Sequence, residues 1–158
     1  MTPEEKRKAL RAINLIKEKR CGKIKGRTVA DRSKQRVYVT KAETASPTIG
    51  LEALYASLII DAHEGRAVQT FDVPGAYLQT PMPEGNIVHM KFENEFVDVL
   101  CESDTSFQQH VTYEGNKKVL YTRVDRAIYG LIESALLWYE VYSKTLKVMG
   151  FKLNPYED

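Results

Sequence analysis

QTFDVPGAYLQ, residues 69–79, decides the fold prediction because one acid, Asp72, lies in it where an apolar segment leads into a Pro-Gly turn. The composition of residues 67–73 predicts a strand, and residues 74–80 predict a turn that includes one helical turn. A carboxylate placed there can face a cation while the amides of the turn face an anion. Asp72 is therefore the leading metal-ligand candidate, although an Asp at a strand end is also a common turn or capping residue.

Helical patterns occur in four other places. The capping box TPEE at residues 2–5 and the apolar residues that follow predict an amphipathic helix to about residue 20, ended by Cys21-Gly22. Residues 46–65 predict a second helix with an apolar stripe that we expect in the core. The stripe consists of Leu51, Leu54, Tyr55, Leu58 and Ile59. Residues 93–101 and 132–149 predict a short and a long helix.

Strand patterns complete the prediction. Residues 23–30 suit an exposed strand or arm, residues 87–92 a strand after the PEGN turn, and residues 111–121 a hairpin around Gly115-Asn116. Phe151 begins a further strand with no partner after it, so we expect the natural domain to continue past Asp158. No repeat or linker is evident, which predicts one α+β unit over residues 1–158.

The composition excludes several classes of protein. With 43% hydrophobic and 28% charged residues, the chain of 158 residues can bury a core and does not have a disordered composition. Cys21 and Cys101 are far apart and predict neither a disulfide framework nor a zinc site. No signal peptide and no run of about 18 apolar residues occurs. We therefore expect an intracellular protein, cytoplasmic or nuclear, with no membrane partner.

Positive charge is concentrated at the N-terminal end. Residues 1–40 contain thirteen Lys and Arg against four Asp and Glu, a net charge of +9. The totals of 23 and 21 leave ten against seventeen, or −7, for residues 41–158. A dense basic segment releases counterions from phosphates, which predicts a nucleic acid or nucleotide partner. The alternative is a solvated helix face with a flexible arm.

Three sequence blocks occur in a fixed order: KGRTVA at residues 25–30, FDVPGAYL at 71–78, and AIYGL at 127–131 followed by Trp138-Tyr139. Together they resemble the reverse transcriptase of copia-type retrotransposons, whose members carry K-x-R-x-V-A, D-V-x-x-A-F/Y-L and L-Y-G-L-x-Q-S...W-Y in this order. Gly150-Phe151 matches the G-F that precedes a Y-V-D-D hairpin in that family. The resemblance covers about residue 23 to the end, and the ordered set is far more specific than any one block.

The resemblance implies a right-hand polymerase with fingers and an incomplete palm, built on an antiparallel sheet packed against helices. It divides the chain into an N-terminal basic helix (1–22), a fingers-like part (23–66) and the start of the palm with an inserted hairpin (67–158). It also implies an RNA-directed DNA polymerase that binds an RNA or DNA template-primer and dNTPs. The remainder of a retrotransposon polyprotein would be required for that activity.

Two roles around the leading carboxylate follow from the resemblance alone. Asp72 would be the first catalytic carboxylate and would bind Mg²⁺ together with the backbone carbonyl of Val73 and the two aspartates of Y-V-D-D. Tyr77 would sit under the sugar as a steric gate against a 2′-hydroxyl, whereas by itself it reads most simply as a core aromatic.

The other implied roles concern the triphosphate. Arg27 would clamp it with a planar, permanently charged fork, helped by Lys25, although Arg27 alone reads as a solvated charge. The backbone amides of Gly75 and Ala76 would lie near the same phosphates, where a glycine lets the backbone approach closely.

The chain departs from the family pattern in three ways. Glu133 replaces the family Gln and would place an acid near the incoming nucleotide, Ala135-Leu136 replace Pro-Arg, and the 158 residues contain no Asp-Asp pair. We therefore expect no two-metal site and no polymerase activity from this chain alone, with Mg²⁺ bound only in a complete domain. The alternative function is a non-catalytic remnant of a transposable element that binds nucleic acid through its basic N-terminal third.

Overall fold

A computed structural model of the protein describes residues 1–37, 40 and 44–152. Within these residues, five strands form one sheet in the order β2-β1-β3-β5-β4. The strands are β1 (Leu10–Glu18), β2 (Ile24–Ala30), β3 (His89–Glu93), β4 (Thr112–Glu114) and β5 (Lys117–Arg123). β1 pairs in parallel with β3 only through Leu10 and Arg11, and the other neighbours are antiparallel.

Helices precede, connect and follow these strands, so the predicted α+β class is confirmed. The α-helices are α1 (Pro3–Lys8), α2 (Leu51–His63), α3 (Glu95–Ser103) and α4 (Ser134–Val148). Short 3-10 helices occur at Gln35–Val37, Ala76–Gln79 and Thr105–His110. No helix in the described part of the chain is both long enough and apolar enough to cross a membrane.

One face of the sheet carries the hydrophobic core. Leu10 lies opposite Met90, and Phe92 lies opposite Leu120, so these four side chains point to the same side. Two groups of buried residues cover this face. The first consists of Leu10, Ala30, Met90, Val124 and Leu131, and the second of Val97, Cys101 and Leu120. The first group joins β2 to the segment before α4, and the second holds α3 on the sheet.

The opposite face carries an ionic cluster around Lys91. Its ammonium group lies 2.8 Å from a carboxylate oxygen of Glu114 and 3.0 Å from one of Glu93. Burial works against the charge of Lys91, but the hydrogen bonds to both carboxylates outweigh it and raise its pKa. Burial, together with donation of the hydroxyl to Glu114, raises the pKa of Tyr121 to about 12. The Lys91 hydrogen bond lowers the pKa of both Glu93 and Glu114.

The long N-terminal helix predicted over residues 2–20 is wrong. The capping box is present at Thr2 and Glu5, but α1 ends at Lys8 and Ala9 turns away with φ −56° and ψ 136°. Residues 10–18 form β1, which pairs with β2 across a turn at Gly22, where φ is +76°. Leu10, Ile13 and Ile16 fit a helical repeat, but the antiparallel pairing satisfies the backbone of both segments and overrides it.

Two other sequence predictions also fail. Residues 67–73 form no strand, and they pair with none of the five strands of the sheet, so their strand-like composition finds no backbone partner. α2 begins at Leu51 rather than near residue 46 and contains no buried residue, so its apolar stripe does not lie in the described core. Leu51 and Ile59, for example, are 68% and 70% exposed.

The remaining elements match the prediction. The hairpin around Gly115 is formed by β4 and β5, and α3 and α4 fall within two residues of the ranges predicted for them. Phe151 and Lys152 have no strand structure, and the rest of the predicted final strand lies outside the described residues.

Candidate functional site

The turn after Asp72 has a compact, hydrogen-bonded structure. Gly75 adopts a left-handed conformation with φ +62°, and the 3-10 helix Ala76–Gln79 follows it directly. The Gln79 side-chain amide donates to the Pro74 carbonyl at 3.1 Å, and the Thr80 N–H donates to the Tyr77 carbonyl at 2.9 Å. The predicted turn with one helical turn is therefore confirmed, and Gly75 occupies the position where a positive φ is required.

The segment that precedes α4 holds this turn in place. The Ala127 N–H donates to the Thr80 carbonyl at 2.8 Å, and the Met82 N–H donates to the Asp125 carbonyl at 3.0 Å. The Arg126 guanidinium also reaches the Leu78 and Gln79 carbonyls, at 3.4 and 3.3 Å. Residues 125–127 therefore connect the turn to the end of β5.

Arg27, Tyr129 and Tyr77 form an aromatic–cation cluster beside the turn. The Arg27 guanidinium carbon lies 4.3 Å from the centre of the Tyr129 ring, within the distance of a cation–π contact. The Tyr77 ring also packs against Tyr129, with 4.8 Å between the ring centres and an angle of 54° between the ring planes. Tyr129 thus connects Arg27 and Tyr77, two predicted site residues that come from separate sequence blocks.

Gly130 allows the cluster to form. The Ala30 N–H at the end of β2 donates to the Tyr129 carbonyl at 2.9 Å, which brings the two backbones together. Gly130 has φ +97°, and a Cβ added there would lie 2.1 Å from the Ala30 carbonyl oxygen. Only a glycine can occupy this position without displacing β2, so Tyr129 is placed next to Arg27 by backbone contact.

Asp72 and Lys25 are not part of this cluster. Asp72 is exposed, and within the described residues no hydrogen bond, ion pair or ring contact joins it to Arg27 or Tyr77. Its neighbour Phe71 lies 6.5 Å from Tyr142 of α4, between ring centres. Lys25 is exposed on β2, two residues from Arg27 and therefore on the same side of the strand.

The described residues do not form a metal site by themselves. No group of three or more His, Cys, Asp or Glu side chains among them is arranged to hold a metal ion. Asp72 offers one exposed carboxylate that belongs to no such group among these residues, and Val73 offers only a backbone carbonyl. One carboxylate does not complete the oxygen shell that Mg²⁺ requires.

Glu133 does not face the Arg27 cluster with free oxygens. One carboxylate oxygen accepts from the Asn86 side-chain amide at 2.9 Å, and the other accepts from the Gln35 side-chain amide at 3.4 Å. Both oxygens of the acid that was expected near the incoming nucleotide therefore accept hydrogen bonds from side-chain amides.

A cavity of about 600 Å³ lies between α1, β3 and the start of α4, away from the aromatic–cation cluster. Glu5, His89 and Glu133 are among its lining residues, whereas Asp72 and Arg27 are not. The contacts among Arg27, Tyr129 and Tyr77, rather than this cavity, therefore identify the candidate site.

A family model described as "Reverse transcriptase (RNA-dependent DNA polymerase)" matches residues 4–158. The chain belongs to the copia-type reverse transcriptase family. No curated protein and no solved structure matches it. The family match begins within α1, so the reverse transcriptase region includes the N-terminal segment that precedes the three sequence blocks.

Sequence reasoning missed two residues of this reverse transcriptase chain. Tyr129 lies in the AIYGL block, which could have marked it as a site residue. Its contact with Arg27, however, depends on the close approach of β2 to residues 129–130. Gln35 is 1% exposed and contacts residues 132 and 133, yet nothing in its local sequence marks it.

Proposed function

We propose that this chain forms the nucleotide-binding part of an RNA-directed DNA polymerase, with the β1–β2 hairpin in the fingers and strands β3, β4 and β5 at the start of the palm. The observation that supports this most directly is the aromatic–cation cluster of Arg27, Tyr129 and Tyr77. It brings together Arg27 of the first sequence block, Tyr77 of the second and Tyr129 of the third, beside the turn at Gly75.

Each residue of the cluster has a role that its geometry favours. The Tyr129 ring orients the Arg27 guanidinium and leaves its N–H groups to bind triphosphate oxygens, a task suited to a planar fork. The amides of Gly75 and Ala76 add neutral donors near the same phosphates. Tyr77, held against Tyr129, forms the floor under the sugar and excludes a 2′-hydroxyl.

Asp72 is proposed as one ligand position of a site that is not complete in these 158 residues. Two further carboxylates of a Y-V-D-D segment would have to join it, and Val73 would add a carbonyl. Magnesium bound there would supply charge that stabilises the attacking and leaving oxygens. For the chain alone we therefore propose no polymerase activity.

Primer extension tests the catalytic proposal. The chain extended by a family-type Y-V-D-D segment should extend a primer with dNTPs in the presence of Mg²⁺, and the 158-residue chain should not. Asp72→Asn should lower the rate of the extended chain by about 10²–10³ or more, the scale seen when a key electrostatic group is removed. Glu140→Gln, at an exposed carboxylate of α4, is the control and should leave the rate unchanged. Normal extension by Asp72→Asn would exclude the assignment.

A second function is favoured by the exposed charge of the β1–β2 hairpin. Its end carries five exposed basic residues against one acid, Glu18. These basic residues are Lys17, Lys19, Arg20, Lys23 and Lys25. The structure thus replaces the expected basic helix by a projecting two-stranded arm. We propose that this arm binds the phosphate backbone of nucleic acid without reading its sequence.

Salt dependence tests the proposed arm. Each phosphate neutralised in duplex contributes about −0.9 to the slope of log affinity against log salt concentration. Lys19→Ala with Lys23→Ala should therefore reduce that slope by about 1.8 if both contact phosphates, measured by fluorescence anisotropy. Lys144→Ala with Lys147→Ala on α4 is the matched control. Equal slopes for the two double variants would rule out binding through the arm.

A further inference from the structure

Gln35 is a buried amide whose two ends are both engaged. It lies in the 3-10 helix that follows β2 and is 1% exposed. Its side-chain oxygen accepts from the Ile132 N–H at 3.2 Å, and its side-chain nitrogen donates to a Glu133 carboxylate oxygen at 3.4 Å. A buried polar side chain retains its position only when its donors and acceptors are paired. Gln35 therefore ties the chain after β2 to the start of α4.

Glu133 extends this tie to a third segment. Its second carboxylate oxygen accepts from the Asn86 amide at 2.9 Å, in the turn that leads into β3. Beside it, the buried Ser134 hydroxyl donates to the Ile128 carbonyl at 2.7 Å. Residues 128–134 are thus closed by an internal hydrogen bond and held from outside by two side-chain amides.

The tied segment includes the ring that contacts Arg27. Tyr129 lies three residues before Ile132, and between them Gly130 is packed directly against the Ala30 backbone. Because the Ala30 N–H also bonds to the Tyr129 carbonyl, the segment has contacts with β2 at one end and with Gln35 at the other. Only two residues, Gly130 and Leu131, separate Ile132 from Tyr129.

We propose that Gln35 is a positioning residue for the nucleotide site, and that it acts by fixing Ile132 and Glu133 so that the Tyr129 ring stays under Arg27. Its relevance to nucleotides rests on the proposed function, whereas its effect on the Arg27–Tyr129 geometry does not. The proposal also gives Glu133 a task in this chain: it accepts hydrogen bonds from the Gln35 and Asn86 amides.

The geometry predicts a specific rescue. Gln35→Glu keeps the acceptor for Ile132 but removes the donor and sets two carboxylates against each other, so the tie should break. Adding Glu133→Gln restores the bond between residues 35 and 133 with its donor and acceptor exchanged, and it keeps the bonds from Ile132 and Asn86 in their original direction. The residue 133 amide would donate to the new carboxylate, and its oxygen would accept from Asn86. Non-additive recovery of this kind identifies a direct side-chain interaction.

The measurement is the NMR shift of the Arg27 side-chain protons in the full 158-residue chain, which the Tyr129 ring current moves upfield. Gln35→Glu should lose at least half of that upfield shift, and the double variant Gln35→Glu with Glu133→Gln should recover most of it. Gln35→Ala should also lose it, and Gln109→Ala, at an exposed glutamine, should keep it. Amide signals of the β4–β5 hairpin report whether each variant is folded.

A wild-type Arg27 shift in folded Gln35→Glu or in Gln35→Ala would overturn the proposal, as would a double variant that folds without recovering the shift. If Gln35→Glu does not fold, the proposal is tested by the other two variants: Gln35→Ala should lose the Arg27 shift, and the double variant should recover it. A separate titration of the wild-type chain with dTTP tests the proposed function. Absence of binding there would refute nucleotide binding and leave the positioning result standing.

Discussion

Gly130→Ala is the most informative single substitution, because it tests the backbone contact on which the candidate site depends. An added Cβ would lie 2.1 Å from the Ala30 carbonyl oxygen, whereas an ordinary contact begins at 3.4 Å. β2 and residue 130 would therefore have to separate by about 1.3 Å, the difference of those distances, to reach contact distances normal for packed atoms. That movement would stretch the 2.9 Å hydrogen bond from Ala30 to Tyr129 beyond bonding distance.

The expected cost has three parts. A non-glycine residue in the left-handed region costs about 1–2 kcal/mol, forced overpacking about 1–3 kcal/mol, and the lost hydrogen bond about 1 kcal/mol. Together they predict a loss of about 3–6 kcal/mol in the free energy of unfolding. That is a large share of the 5–15 kcal/mol typical of a domain.

Two other glycines separate these parts. Gly115 also has a positive φ, +60°, but a Cβ there would have no atom within 4 Å, so Gly115→Ala should cost only the conformational part, about 1–2 kcal/mol. Gly26 has open space and no positive φ, so its replacement by Ala should change stability by less than about 0.5 kcal/mol.

Urea unfolding followed by circular dichroism measures all three variants. The difference between Gly130→Ala and Gly115→Ala isolates the contact with Ala30 and should be about 2–4 kcal/mol. If the two variants agree within about 0.5 kcal/mol, β2 and the Tyr129 segment do not approach as described, and the reasoning about the aromatic–cation cluster fails with them.

The ionic cluster around Lys91 predicts two pH limits of stability. The pKa values of Glu93 and Glu114 are lowered from 4.5, so their contribution is present above that pH and should be lost as the pH falls through their folded values. On the alkaline side, the pKa of Lys91 is raised above its ordinary 10.5, and the pKa of Tyr121 is raised from 10.0 to about 12. Their contribution to stability should therefore be complete below pH 10 and should be lost as the pH rises through the raised values. Urea unfolding across this pH range should show both limits. Lys91→Gln should flatten the acid limit, because the Lys91 hydrogen bonds are the main cause of the lowered pKa of Glu93 and Glu114, and should leave the Tyr121 part of the alkaline limit in place. An unchanged acid slope in that variant would contradict the assignment.

Elements with local signals were predictable from the sequence. The β4–β5 hairpin follows from Gly115-Asn116 between two β-rich arms, and α4 follows from its apolar repeat and the glycine at residue 150. The turn at residues 74–80 is likewise specified by Pro74 and Gly75, which fix the backbone within a few residues.

Elements that depend on distant partners were not predictable. The repeat of Leu10, Ile13 and Ile16 suits a helix until β2 pairs with it, and residues 67–73 have strand composition but pair with none of the five strands. In the site, the three sequence blocks supplied Arg27 and Tyr77, but only the fold brings Tyr129 between them. Gln35 acts through residues nearly a hundred positions away, and such contacts leave no local pattern.

The β1–β2 hairpin is attached to the rest of the sheet only at its base. Its base is clamped where Leu10 and Arg11 meet β3 and where Ala30 meets Tyr129, and beyond that point no other strand supports it. At about 3.3 Å per residue, Arg27 lies about 10 Å from the clamp, whereas the turn at Gly22 lies more than twice as far. Bending at the base would therefore displace the basic tip more than Arg27, so the proposed phosphate contacts at the tip can shift while the charge of Arg27 stays near the Tyr129 ring.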